Sequence, residues 1–437
     1  MVRFDEAVPA VLGLMKKIPT LHARMREVCL VRDMAGAITV ILPDQLLDRK
    51  EVERLAKRLH TCLGGYSPGQ GRILLEHSDL IDKADILDSP QRLQIADEEA
   101  FLIDRLLTNQ EWLVKPVVEN LPLPTAAAFS IKGGVGRSTA LAAWAWGLAR
   151  QGRRVLVVDL DLEAPGIASL LLDELPGFGL VDWLVESLAN QADAALLDDM
   201  LRESPLNQEC TGGIQVIPAY GNKTLDYVAK LGRIHVSAMD GKGESLGLAE
   251  RLVALLQTVA IRHASPEVVL LDARAGLHDI GAAALSQLPT EVFLFARDDQ
   301  QTWEAYGHLF QHLQRSRCVE WGMRKKDLRW RFNMVAAQTG GSESDYKRAI
   351  SKSYKVWSDY LYDAPSQDGT TLNMQEFQEF EEHAPHFPIP IYLETLLAKK
   401  NFLDPAQKPP WEVVERAFGR FITEATSRLP GFQEKSD

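Results

Sequence analysis

Cysteine is scarce. Cys29, Cys62, Cys210 and Cys318 are scattered through 437 residues, with no CxxC pair and no Cys/His spacing suited to zinc. That excludes a disulfide framework and a structural zinc site, and we read the four as reduced and mostly buried. No apolar run reaches the roughly 18 residues that a membrane helix needs. The opening stretch, MVRFDEAVPAVLGLMKK, has neither the charged-then-apolar order nor the cleavage site of a secretory leader. Positive charge is also in deficit. Lys and Arg number 48 against 60 Asp and Glu, and the net of −12 argues against generic nucleic-acid binding while leaving room for a local basic patch. These absences, with 46% hydrophobic and 25% charged residues, describe a cytoplasmic globular chain. Its length allows two or three domains of about 150 residues each.

What is present is organised around AAAFSIKGGVGRST, residues 126–139. An apolar run, read as a buried strand, leads into a glycine turn. An alanine-rich helix then opens on Ser138 and Thr139. Strand, glycine turn and helix N-terminus together make an anion site. Turn N–H groups converge, the helix dipole adds positive charge, and glycine lets phosphate approach closely. The alternative is a plain strand-to-helix turn. The ordinary phosphate-loop pattern is not met, since Ile131 holds its first glycine position and Arg137 its lysine position.

Residues 1–118 read as a small α+β domain. The pattern predicts a helix over 6–26, a hairpin turning at Asp33–Gly36, an amphipathic helix closed by Gly64 and Gly65, a strand near 72–81, and a helix over 97–113 capped by Asp97. No catalytic constellation stands out, so docking or regulation is its expected task. Residues 119–125, with Pro122 and Pro124, form an extended linker. From Ala126 strands and helices alternate, as in a parallel sheet with helical crossovers. Strands are expected at RRVLVV, GGIQVIPAY, EVVLLD, EVFLFA, WRFNMVAAQ and FPIPIYLE, with a polar excursion at 222–244, a helical insertion near 342–386 and a closing helix from Trp411. The expected fold is therefore α/β, a doubly wound and mostly parallel P-loop domain over 126–437, beside the smaller N-terminal α+β domain.

Lys132, Gly133, Gly134, Val135, Gly136, Ser138 and Thr139 match the K-G-G-x-G-K-[ST]-[ST] loop of the ParA/MinD family, and only Arg137 departs. Over roughly 126–429 the chain resembles that family of deviant Walker A ATPases. VDLD, with Asp159 and Asp161, falls where the family keeps switch I. DARAG, led by Asp272, resembles switch II, and RFNMV resembles the strand whose Asn reads adenine, here Asn333.

The resemblance implies ATP and Mg²⁺ as ligands. Main-chain N–H groups of Gly133–Ser138 would wrap the phosphates. Ser138 would reach Mg²⁺, Thr139 the α-phosphate, and Asp272 the metal through water. Asp161 would orient the attacking water, with Asp159 close to the metal. Lys132, the family's signature lysine, would act across an ATP-sandwiched homodimer. Each residue has a blander alternative: strand-end caps for Asp159 and Asp161, a turn residue for Asp272, a structural amide for Asn333.

Arg137 bears on all of this, because a planar fork does not replace a compact ammonium in a tight loop. It is counted with Lys132 and Asp161 as catalytic, with slow hydrolysis or binding without hydrolysis as the expected consequence. The leading expectation is an ATP-dependent molecular switch signalling to a protein partner through the N-terminal domain or the 342–386 segment. The alternatives are a nucleotide-stabilised scaffold without turnover and a DNA-partitioning motor. DNA would be held by Arg315, Arg317, Arg324, Lys325, Lys326, Arg329 and Arg331, a cluster that otherwise reads as a solvated helix end and loop. No cysteine lies between Cys210 and Cys318 to bridge an iron–sulfur cluster, and the tail GFQEKSD has no tyrosines. The stripe Trp411, Val414, Phe418, Phe421 and Ile422 reads as core packing rather than a membrane anchor.

Overall fold

Helical spacing in the first residues buries Ala7, Val11, Leu12 and Met15 on one face of α1 (Phe4–Met15). In the computed structural model, residues 2–432 are described except 90–91, 96–99, 107, 114–120, 240–244, 263–265, 316–326, 341, 363–376, 395–396, 398–401 and 405. Contacts divide the chain into two units, Met1–Lys115 with His312–Val319, and Pro116–Gln311 with Glu320–Asp437.

In the first unit the helix expected over 6–26 is broken. Pro19 starts α2 (Pro19–Ala23) because its missing N–H is tolerated only in a first turn. The hairpin forms between β1 (Cys29–Arg32) and β2 (Ile38–Leu42), its turn held by Asp33 accepting from the N–H groups of Ala35 and Ala37. Helix α3 (Arg49–Leu63) is capped by Asp48, which accepts from Glu51 N–H. Then come β3 (Leu74–Glu76), α4 (Ala84–Leu87) and β4 (Leu93–Ile95).

The helix expected over 97–113 is instead β5 (Ala100–Asp104), followed by a 3₁₀ turn at Gln110–Leu113; Asp97 lies outside the described residues. Ala100 and Leu102 join the core under α1 and α3, while Phe101 and Ile103 join Cys29 and Ile41 on the other face. Parallel pairing with β1 thus overrides the local helix pattern. The sheet order is β3-β2-β1-β5-β4.

The second unit begins its sheet at β6 (Thr125–Ser130), buried at every position. It continues through α5 (Arg137–Arg150), β7 (Arg154–Asp159), α6 (Ala168–Leu171), α7 (Leu180–Glu186), α8 (Ala194–Asp198), β8 (Arg202–Glu203) and β9 (Gly213–Ile217). The excursion carries α9 (Tyr227–Leu231) and a small ribbon, β10 (Ala238–Met239) with β11 (Ser245–Leu246). Next are α10 (Leu248–Ala260), β12 (Val268–Asp272), α11 (Asp279–Ala282), β13 (Glu291–Ala296), α12 (Gln300–Arg315), β14 (Phe332–Thr339), α13 (Glu343–Tyr360), β15 (Ile389–Tyr392) and α14 (Trp411–Arg428).

The sheet runs β15-β14-β13-β6-β12-β7-β9-β8, parallel throughout except β8. Helix α5 is buried nearly all round, from Ala140 to Ala149, and packs its tryptophans against Phe421, Phe402 and Trp411. Val414, Phe418, Phe421 and Ile422 of the closing stripe lie in this core. Of the 342–386 segment, residues 342–362 and 377–386 are described, and α13 buries Ala349, Ile350, Val356 and Trp357.

Candidate nucleotide site

The glycine turn leaves the carboxyl end of β6, a central strand, and feeds straight into α5. Gly134 (φ 73°) and Gly136 (φ 83°) are left-handed, a conformation that costs a residue with a side chain. A Cβ added at Gly133 or Gly134 would meet nothing within 4 Å, so the turn faces open space. That is what a phosphate cradle at a helix N-terminus requires. Ser138 and Thr139 follow in the first turn, both half-buried, and Val135 anchors the loop from below.

Three carboxylates gather at this edge. Asp272 ends β12 and lies level with Asp159, which ends the neighbouring β7. Both are fully buried. Burial, and then Asp272, pushes the Asp159 carboxyl well above its ordinary range. Asp272 is also raised, by burial, although Arg137 and Ser138 pull against it. Oδ2 of Asp159 and Oδ2 of Asp272 have no hydrogen-bond partner among the described residues. Asp161, just past β7, accepts Ala164 N–H at 3.1 Å on Oδ1 and gives Oδ2 to Arg137 at 3.3 Å.

Arg137 enters this group from the first position of α5. Its Nε donates to Asp272 Oδ1 at 2.8 Å and its Nη1 to Ser130 Oγ at 3.1 Å. Ser130 was not anticipated; it stands at the end of β6 with nothing but its strand to mark it.

Lys132 goes elsewhere, donating to Asp299 at 2.7 Å and to Gln301 Oε1 at 2.8 Å. Asp299 also caps α12, accepting Thr302 N–H at 2.9 Å. Burial opposes its ionisation, yet Lys132 and Thr302 together hold its carboxyl below the ordinary value. The signal for this pair was the acidic cap in RDDQQT after β13.

Asn333 does not join the site. It is the second residue of β14, not the last, and its amide is consumed structurally. Nδ2 donates to Glu291 Oε2 at 2.7 Å and to Arg331 O at 3.1 Å, and Arg428 donates to Oδ1. The residue that does reach the loop from this strand is Gln338, which holds φ 53° and donates from Nε2 to Gly134 O at 2.9 Å. Beside it, at the carboxyl ends of β13 and β14, lies a cavity of about 200 Å³ lined by Ala296, Arg297, Asp298, Ala337, Thr339 and Arg348 among others.

Two members of the basic cluster are not on the surface. Arg329 and Arg331 are buried, and Arg329 is forked onto Asp327 at 2.7 Å. Arg315 is exposed at the end of α12, while Arg317, Arg324, Lys325 and Lys326 lie outside the described residues.

Among the described residues no group of three or more His, Cys, Asp or Glu is arranged to hold a metal by itself. A magnesium ion at a phosphate site, however, keeps most of its water and needs only one or two protein oxygens. The unpartnered Oδ2 atoms of Asp159 and Asp272, with Ser138 beside Asp272, fit that demand. No helix in the described residues is long and apolar enough to cross a membrane.

A strand, glycine loop and buried helix, faced by carboxylates on two adjacent parallel strands, make the arrangement of a nucleotide-binding P-loop unit, and the chain is similar to ATPases of the ParA/MinD type. The family model that matches directly, over residues 125–164, is described as cellulose biosynthesis protein BcsQ. Solved structures with likeness of fold include the septum site-determining protein MinD complexed with Mg-ADP from Pyrococcus horikoshii OT3, at 18% identity over 72% of this chain and 99% of that one, TM-score 0.43. Cobyrinic acid a,c-diamide synthase from Mycobacterium smegmatis, with bound ATP analog and magnesium, is 16% identical over 70% and 95% of the two chains, TM-score 0.41. A ParA family ATPase from Chlorobium tepidum TLS is 19% identical over 51% and 76%, TM-score 0.35. No curated protein matches the chain.

Proposed function

We propose that the second unit is a Mg²⁺-ATP-dependent molecular switch whose state is passed to a protein partner. The observation that carries this reading is the open glycine loop at the N-terminus of α5, set against Asp159, Asp161 and Asp272 at the same sheet edge. Phosphoryl transfer needs little covalent help from a protein; it needs charge neutralised and a water aimed in line. Main-chain N–H groups from Gly133 to Ser138 would meet the phosphates, with Thr139 expected near the α-phosphate. Ser138 and Asp159, with Asp272 through water, would hold Mg²⁺, which would supply charge to neutralise the phosphates. Asp161 orients the attacking water. Both its oxygens already accept one hydrogen bond, but each carboxylate oxygen can accept a second. The base takes the cavity beside Gln338, a role withdrawn from Asn333. A second copy of the chain supplies its Lys132 across an ATP-dependent dimer. The partner is engaged through the first unit or the 342–386 segment.

The test is steady-state ATP turnover with Mg²⁺ for wild type beside Asp161→Ala. Turnover that vanishes in the variant supports the switch with Asp161 on the water. A wild type that binds no nucleotide refutes the reading. A second reading, a nucleotide-stabilised scaffold without useful turnover, is favoured by one observation: Arg137 already occupies Asp161 and Asp272. Tight ATP binding with no turnover in either protein, and turnover appearing in Arg137→Lys, would select it.

A further inference from the structure

The cation that follows the last glycine of a phosphate loop normally meets phosphate. In this chain that residue is engaged on three other sides. Arg137 donates from Nε to Asp272, from Nη1 to Ser130 and from Nη2 to Asp161, and its side chain is only 8% exposed. Ser130 ends β6, Asp272 ends β12 and Asp161 follows β7, so one guanidinium ties together three consecutive strand ends. Only a planar fork with donors in several fixed directions can do this; an ammonium is a point donor on a flexible stem. The other basic side chain of the loop, Lys132, is held within the chain by Asp299.

We propose that Arg137 is a positioning residue that acts through Asp161 and Asp272 and is not a phosphate ligand. Phosphate charge is then met by main-chain N–H groups and the divalent ion. Oδ2 of Asp272 has no hydrogen-bond partner among the described residues, while Oδ1 is fixed by Arg137. The inference rests on the nucleotide-site reading above. It reverses the expectation that Arg137 is a bulky stand-in for the missing lysine.

The test is ATP affinity by calorimetry on the full chain, for wild type and Arg137→Gln, across a Mg²⁺ titration and in EDTA. A guanidinium bound to phosphate through charge-assisted hydrogen bonds would cost roughly ten- to a hundredfold in affinity when removed. Positioning instead predicts Mg²⁺-ATP affinity in Arg137→Gln within about threefold of wild type. It also predicts that the half-saturating Mg²⁺ concentration falls by at least about threefold, because a positive charge leaves the carboxylates that face the ion. A merely structural arginine would leave that concentration unchanged. Wild-type affinity should weaken at least about tenfold in EDTA, since no loop side chain then neutralises phosphate.

Loss of Mg²⁺-ATP affinity beyond tenfold in folded Arg137→Gln, an unchanged Mg²⁺ requirement, or wild-type binding indifferent to EDTA overturns the inference and leaves the nucleotide reading standing. A wild type that binds no ATP in either condition overturns the nucleotide reading and the inference with it. Should Arg137→Gln not fold, Arg137→Gln with Asp161→Asn, which removes one carboxylate charge together with the guanidinium, is measured the same way.

Discussion

Replacing Arg137 by methionine should destabilise the second unit far more than an ordinary surface change. The guanidinium and its partners are buried: side-chain exposure is 8% for Arg137, 1% for Asp272 and 12% for Asp161. Removing one member of a buried, hydrogen-bonded ion pair leaves the other as an uncompensated charge, at about 3–5 kcal/mol. Methionine keeps most of the stem's packing, so the loss is electrostatic rather than a cavity. For a unit of this size each kcal/mol shifts melting by roughly 2 °C, which puts the expected fall near 6–10 °C. The assay is differential scanning calorimetry without nucleotide, at fixed scan rate, with the second unit's transition assigned by the fluorescence of the tryptophans buried in its core. Asp272→Asn in the same background removes the stranded charge. The double variant should therefore melt above Arg137→Met, with a coupling of about 2 kcal/mol. A fall of less than 2 °C in the single variant, or strict additivity in the double, would refute the placement of the guanidinium between these carboxylates.

Three further outcomes follow from other contacts. Asp299→Asn keeps the cap on α12 but removes the negative charge that faces Lys132; stability should move by under about 1 kcal/mol, as for a half-exposed pair, while the nucleotide-dependent dimerisation proposed above, read by light scattering, should begin at lower protein concentration. Unchanged dimerisation would show that the in-chain pair does not compete. Glu291 is pushed up to about 7, mainly by burial, with Asn333 and then Arg428 pulling it down. Its folded pKa lies above the unfolded value, so the stability linked to its proton is full below about 4.5 and is lost as pH rises through about 7. Glu291→Gln should accordingly raise the melting temperature at pH 8 relative to wild type, and that gain should shrink toward pH 5; a gain that grows on acidification would contradict the burial. Gln338→Gly relieves the left-handed backbone but cuts the bond to Gly134 O, so ATP affinity should weaken by about fivefold, the worth of one hydrogen bond near 1 kcal/mol. Equal affinity would separate Gln338 from the loop.

The second unit was legible because its elements are long, apolar and alternating. Buried parallel strands such as VLVVD and VVLLD announce themselves by composition, and the glycine turn between β6 and α5 is punctuated by residues that have few other uses. The first unit was less so. Residues 97–113 carry helix-favouring side chains, yet Ala100–Asp104 is a strand because β1 offers a parallel edge, and no local signal reports an edge supplied from some seventy residues away. The same limit explains Asn333. The strand was expected over WRFNMVAAQ and β14 does run that far, to Thr339, paired with β13 and β15; that length leaves Asn333 as its second residue rather than at its carboxyl edge. An asparagine at the start of a strand finds its partners in Glu291 and Arg428, and the residue at the carboxyl edge becomes Gln338.

Arg137 shows why the type of a residue in a loop does not settle its role. Read along the chain, it stands where a phosphate-binding lysine belongs, and its size counts against it. In three dimensions the carboxylates of Asp161 and Asp272 are brought within 3.3 Å of its guanidinium by β7 and β12, and Asp272 lies 135 residues further along the chain. A buried guanidinium with two carboxylates and a hydroxyl is satisfied; turning it toward phosphate would strand those groups, at several kcal/mol. The departure from the lysine pattern is thus coupled to the carboxylates rather than to the nucleotide. Changing Arg137 and Asp161 together should be milder than the sum of changing each alone.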